Sequence, residues 1–343
     1  MKHLKKSLKK GGLSPPIAIP SELPFQSHPQ GSLTEILNSI DKKPSAPLNR
    51  LRYQKIYERK LHSAQGITWA YDNICFISSG DCIFKYSFPE NPYNAKESEI
   101  VRLDVWQLRY YLSLIGIENK GYNHFGDPVY YNGILFITVE EPNYNYSPLL
   151  LALNNNLQLL GWSFLIANGD GHSPGCAINP WDKRLYTWGD SNESCMHVYN
   201  VDEYYKRNLT YDNVGKEIIF SPATDINEYH LYMENIKTPN ITRTIQGAVF
   251  STSGKLYLSV SVKRTTCWDN YIYAINTLTG KRISKSYHDY VGAYDEIEGL
   301  TIHPSGCFLI TICDNDYWPG DEGDIMIYAV TYPGYPNNPW WNI

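Results

Sequence analysis

No run of about 18 apolar residues occurs anywhere in the 343-residue chain, so no segment can cross a bilayer as a helix. The N-terminal lysines are not followed by an apolar core. Gly11, Gly12, Pro15 and Pro16 interrupt that stretch, which excludes a Sec-type signal peptide and points to a cytoplasmic protein or to export by another route. An excess of basic residues is also missing. With 30 Lys and Arg against 35 Asp and Glu, the net charge of -5 leaves no dense basic face for neutralising phosphates, and nucleic acid is not an expected partner. The seven cysteines include no C-x-x-C, so neither a structural zinc site nor a complete disulfide framework is expected. Ser147, Ser173 and Ser194 have no G-x-S-x-G context, which removes local support for a serine hydrolase. Sustained helical apolar periodicity is absent as well.

What the chain does contain is a repeat. Five times a glycine opens a short apolar strand, a tight turn follows, and two further strands rich in Tyr, Ile or Val succeed it. The openings are Gly66 (GITWA), Gly126 (GDPVY), Gly175 (GCAIN), Gly247 (GAVFS) and Gly299 (GLTIHP). Their turns are YDN, Tyr131-Asn132-Gly133, PWDK, TSGK and Ser305-Gly306. Short β-rich runs broken by Asn, Asp, Gly and Pro, in units of about 40 to 50 residues before insertions, predict an all-β fold, a single β-propeller.

A propeller has to hide its seam, because open sheet edges invite pairing with other chains. The fifth unit ends in AVTYPGYPNNPWWNI, where Pro333, Pro336 and Pro339 rule out a regular fourth strand. The segment Leu51 to Lys60 alternates like an edge strand, and we expect it to pair with the last blade. Five blades are expected, or six if Asp202 to Arg243 is a degenerate blade rather than a fourth strand plus an insertion. Residues 51–343 are then the propeller. Residues 1–50 are a basic, Pro/Gly/Ser-rich tail, in which Ser32 to Lys43 could form one short helix capped by Ser32 and Glu35.

First strands line a propeller's axis, so residues beside the five glycines should converge at one mouth of the channel. They are Gln65, His124, Asp127, Asp170, His172, Gln246, Glu296 and Glu298. Carboxylate and amide oxygens from Asp127, Glu298, Gln65, Gln246, Asp170 and Glu296 suit a hard cation such as Ca²⁺, with His124 or His172 as general base. Polar residues at such an axis also serve to hold water and to satisfy free strand ends. Trp268, Tyr317 and Trp318 fall in loops, where aromatic side chains can grip a partner or a sugar.

The patterns IEGLTIHPSG (Ile297 to Gly306) and GAVFSTSGKLYLS (Gly247 to Ser259) resemble those of the SMP-30, strictosidine-synthase and phytase-like propellers and the YVTN/quinoprotein-like repeats. The resemblance implies the propeller fold. For lactonase-like members it implies a calcium ion in the axial channel, held by acidic and amide side chains. Glu298 matches an acidic position of that kind, whereas Gln65 and Gln246 stand where an acid would be expected.

The function expected first is a non-enzymatic binding propeller that recognises a protein or glycan through one loop face, with the N-terminal tail for docking or delivery. The alternatives are a Ca²⁺-dependent hydrolase or lactonase working in the central channel, and a lectin.

Overall fold

The computed structural model describes residues 52–59, 63–70, 74–87, 98–143, 145–165, 174–188, 195–200, 228–230, 242–251, 254–263, 267–275, 282–288, 295–303, 307–314 and 324–331. The expected helix at Ser32 to Lys43 and the tail of residues 1–50 lie outside them.

Strand β1 (Arg52–Arg59) precedes five groups of strands. The first holds β2 (Ala64–Trp69), β3 (Ile74–Ser79), β4 (Ile83–Ser87) and β5 (Ser98–Leu103). Helix α1 (Val105–Leu114) then leads to β6 (His124–Phe125), β7 (Val129–Tyr131), β8 (Ile134–Glu140), β9 (Leu149–Leu153) and β10 (Leu159–Phe164). The third holds β11 (Gly175–Asn179), β12 (Arg184–Trp188), β13 (Cys195–Asn200) and β14 (Glu228–His230). The fourth holds β15 (Thr242–Phe250), β16 (Leu256–Lys263), β17 (Trp268–Ile275) and β18 (Arg282–His288). The last holds β19 (Glu296–Ile302), β20 (Phe308–Asp314) and β21 (Asp324–Thr331). Each group is an antiparallel sheet whose strands pair in sequence order, except that β6 and β7 both pair with β8, and β1 completes the last by pairing along β21. Strand β14 shows that Asp202 to Arg243 gives the third sheet its fourth strand. The rest of that segment lies outside the described residues, apart from the first two residues of β15.

The hairpins follow from turn chemistry. Asn132 and Gly133 both have positive φ, 49° and 86°, the pairing that lets a two-residue turn match the twist of the strands it joins, here β7 and β8. Second strands bury nearly every residue, as all of Ile134–Glu140 does in β8, because each lies between two neighbouring sheets.

Five apolar clusters fill the spaces between sheets. Phe76 and Ile83 pack with Leu135 and Ile137, joining the first sheet to the second. Phe136 and Leu150 meet Cys176 and Leu185. Trp188 and Val198 meet Leu256 and Leu258. Tyr257 and Ile272 meet Leu300 and Phe308. Ile77 and Phe84 meet Leu309 and Ile327, which joins the first sheet to the last. Polar latches repeat the same adjacency. Ser78 Oγ donates to the Gly126 carbonyl at 2.8 Å, Trp188 Nε1 to that of Ile245 at 2.8 Å, and Ser259 Oγ to that of Glu298 at 3.0 Å.

Helix α1 corrects the expectation that helical patterning is absent. Asp104 caps it and Gln107 completes a capping box, so the local signal to start is strong. Leu108 and Leu112 are buried and Tyr111 and Ile115 pack against the same core, while Trp106 and Tyr110, 70% and 59% exposed, put aromatic residues on the outer face and blur the apolar stripe a periodicity reading relies on. Among the described residues no helix is long and apolar enough to cross a membrane. Cys75, Cys82, Cys176, Cys267, Cys307 and Cys313 are free thiols.

Candidate functional site

The five glycines allow the inner strands to crowd together. A Cβ on Gly299 would stand 2.5 Å from Gly66 Cα and Ile67 N, and one on Gly247 would stand 2.9 Å from the Glu298 carbonyl oxygen. One on Gly66 would collide with Asp127, and one on Gly126 with the Pro174 carbonyl.

Asp127 sits in the middle of this crowding. Its backbone bridges Gly175 in parallel, accepting from Cys176 N at 3.2 Å and donating to the Pro174 carbonyl at 2.7 Å. Its side chain is fully buried. Oδ1 accepts from Ile67 N at 3.1 Å and Oδ2 from Ala248 N at 3.2 Å. One carboxyl group thereby ties β2 of the first sheet to β15 of the fourth. Burial pushes this carboxyl well above the usual carboxylate range, against the pull of the two N–H bonds. Both oxygens are engaged with the backbone, so Asp127 does not join the other expected oxygen ligands.

Just before the glycines the inner strands carry acidic and amide side chains that make an acidic mouth. Gln65, Gln246 and Glu298 each occupy a register shift immediately before their glycine, between Ala64 and Gly66, Ile245 and Gly247, and Ile297 and Leu300. Bulges at corresponding places in three inner strands take these residues out of the ladder, a device that re-aims side chains at the rims of barrels and at active sites. Glu296 and Glu298 are both buried, and Gln246 Nε2 donates to Glu296 Oε1. The start of β19 is held by Asn270, whose Oδ1 accepts from Ile297 N at 2.9 Å while its Nδ2 donates to the Asp295 carbonyl at 2.9 Å. The Cys313 thiol lies in the field of both glutamates. Burial first, then Glu298 and more weakly Glu296, push it far above the ordinary thiol range, which disqualifies it as a nucleophile at neutral pH.

His124, in β6, is half-buried next to Gly80 and opposite Glu140 in the register. Trp268 opens β17, with the Lys263 ammonium 5.2 Å from its ring. Asp170, His172, Tyr317 and Trp318 lie outside the described residues. Among the described residues no three His, Cys, Asp or Glu side chains come together as a metal site.

The opposite mouth has a different chemistry. A cavity of about 480 Å³ is lined by residues of β2, β7, β11, β15 and β19, among them Thr68, Trp69, Tyr130, Phe250 and Thr301. Thr301 Oγ1 accepts from Trp69 N and Thr68 Oγ1 from Tyr130 N, both at 3.0 Å, so each threonine hydroxyl latches the next inner strand. Sequence reasoning missed this mouth. Its signal was the second and third residues after each glycine: Thr68 and Trp69, Ala177 and Ile178, Val249 and Phe250, Thr301 and Ile302.

His303 packs edge-on against Trp69, with ring centroids 4.3 Å apart. Burial pushes its imidazole down to about 4 from an ordinary 6.5. The folded protein therefore resists the proton that the unfolded chain accepts. His303 leaves stability unchanged above about pH 6.5 and costs up to about 3 kcal/mol as pH falls from there through 4. Urea unfolding of wild type and His303→Gln at pH 7, 6, 5 and 4 should show the wild type losing this increment relative to the variant. Equal slopes would show that burial does not hold this imidazole neutral.

No family model and no curated protein sequence matches the chain. Solved structures do match. One is a candidate oxidoreductase (glucose dehydrogenase) from Thermus thermophilus, at TM-score 0.45 and 11% identity, covering 82% of this chain and 100% of that one. The RS223 β-xylosidase aligns at TM-score 0.46 and 12% identity over 80% of this chain and 94% of its own. MPT-4, a mannose phosphorylase from Leishmania mexicana, aligns at TM-score 0.41 and 9% identity over 80% and 85%. By name these three are an oxidoreductase, a glycosidase and a phosphorylase, and none is an SMP-30 protein. They stand against the expectation of a non-enzymatic binding propeller, and the hydrolase alternative is the nearer of the expected readings.

Proposed function

We propose that the five sheets form a closed five-bladed propeller and that the chain is a hydrolase working at the acidic mouth. The cyclic order of the five apolar clusters supports the first part, since each lies between two sheets and the fifth joins last to first. The observation that carries the second is the set of bulges placing Gln65, Gln246 and Glu298 ahead of the axial glycines, with Glu296 two residues from Glu298.

Two buried carboxyl groups on one strand start provide what water-driven cleavage of a C–O bond requires. One takes a proton from the attacking water while the other gives a proton to the departing oxygen. Gln246 orients one Glu296 oxygen by donating to it. His124, on the second sheet, is the further group able to move a proton. Calcium remains part of the proposal through the carboxylates of Glu296 and Glu298 and the amide oxygens of Gln65 and Gln246, which are hard donors.

The test is a panel of aryl esters, lactones and aryl glycosides, run on wild type, Glu296→Gln and Glu298→Gln. Turnover of one class, reduced at least about a hundredfold in each variant at unchanged thermal stability, is the expected result. A wild type inert on all three classes, or variants as active as wild type, would overturn the reading. Calorimetric titration of Ca²⁺ into chelator-stripped protein decides the calcium part, and binding that persists in the paired variant would place the ion elsewhere.

A further inference from the structure

We propose that the apolar mouth is a second, separate binding site, built for a neutral ring-bearing small molecule with a hydrogen-bond acceptor on its edge. Asp127 and the glycine ring lie between it and the acidic mouth. Ile67 and Ala248, whose N–H groups Asp127 holds, immediately precede the lining residues Thr68 and Val249, and Ala248 lines the cavity itself. The cavity therefore has its own floor, and its volume of about 480 Å³ lies within the range usual for small-molecule pockets.

Its chemistry selects the ligand class. None of the described lining residues carries a charge, so an ionic ligand would lose its hydration without compensation from them. Trp69, Tyr130 and Phe250 offer ring faces and edges for stacking. Thr68 and Thr301, 5% and 4% exposed, spend an oxygen lone pair on the neighbouring strand's N–H, and each hydroxyl still has a hydrogen to donate. Two such donors on adjacent inner strands match a carbonyl, ether or ring-nitrogen acceptor. The site does not depend on the hydrolase reading, and its test does not use turnover.

The experiment is fluorescence titration of the full chain with the neutral probe N-phenyl-1-naphthylamine, followed by displacement with coumarin, which carries a ring and a carbonyl. One probe per chain is expected, displaced by coumarin and at least tenfold weaker in Val249→Trp, which fills the cavity. The paired variant Thr68→Val with Thr301→Val should weaken coumarin at least fivefold and leave the probe, which lacks a carbonyl, within twofold. Circular dichroism and thermal melting confirm that the variants fold. Absence of saturable binding, or binding unchanged in a folded Val249→Trp, would overturn the proposal. So would binding that emerges only after truncation at Thr331, since the chain's own aromatic C-terminal residues would then be the occupant.

Discussion

Asp127→Ala is expected to destabilise the fold by about 4 kcal/mol, because it strands two buried backbone donors at about 1–3 kcal/mol each. Ile67 N and Ala248 N belong to sheets that are not neighbours, and the carboxyl oxygens at 3.1 and 3.2 Å are their described acceptors. Asp127→Asn separates hydrogen bonding from charge. Its carbonyl can serve one N–H, but its amide presents hydrogens to the other, so it should cost roughly half as much as alanine. The charge itself works against the fold. A carboxyl whose folded-state pKa is raised contributes stability below its ordinary value of 3.8, and that contribution is lost as pH rises through the folded value. Wild type should therefore lose stability relative to Asp127→Asn across that rise. Urea unfolding of the three proteins at pH 4 and pH 7 measures both effects, and an alanine variant within about 1 kcal/mol of wild type would refute the cross-ring tie.

Asp127 also shows where the sequence stopped being legible. Of the residues beside the five glycines, Gln246 and Glu296 hydrogen-bond to each other, and Gln65 and Glu298 occupy bulges. Those residues precede their glycines, whereas Asp127 follows Gly126. The two places are two positions apart, and the register shift at the earlier one breaks the regular alternation between them, so one environment does not carry over to the other. The Asp127 carboxyl is bonded to the backbone of β2 and β15 instead. The turn at Asn132 and Gly133 and the pairing of β1 with β21 were legible because φ preference and edge alternation are local properties. Strands β5, β10 and β18 were not singled out. Outer strands have less apolar surface to bury, and RISKSYH or SEIVRL in isolation reads as polar linker. The apolar mouth left no contiguous motif. It exists only because Thr68, Ala177, Val249 and Thr301 hold equivalent places after glycines far apart in sequence.

Gly299→Ala should be strongly destabilising. Its Cβ would lie 2.5 Å from both Gly66 Cα and Ile67 N, and neither neighbour is a flexible side chain that can turn aside. Gly66 is itself hemmed in by Asp127 and Pro128, so a displacement passes to the next strand of the ring. Overpacking of this kind costs about 3 kcal/mol or more when backbone has to move. Gly133→Ala provides the comparison. At Gly133 the added Cβ meets nothing within 4 Å, and the cost is the φ of 86° alone, about 1 kcal/mol. Chemical unfolding of both variants should rank Gly299→Ala at least about 2 kcal/mol below Gly133→Ala. An equal loss would mean that the inner strands are not in backbone contact at the axis. Gly299 also follows Glu298 directly and shares its register shift, so any Gly299→Ala protein that still folds must move that carboxyl group. If the proposed hydrolase reading holds, its remaining turnover should fall further than its stability explains, whereas Gly133→Ala, in the β7–β8 turn, should keep wild-type turnover.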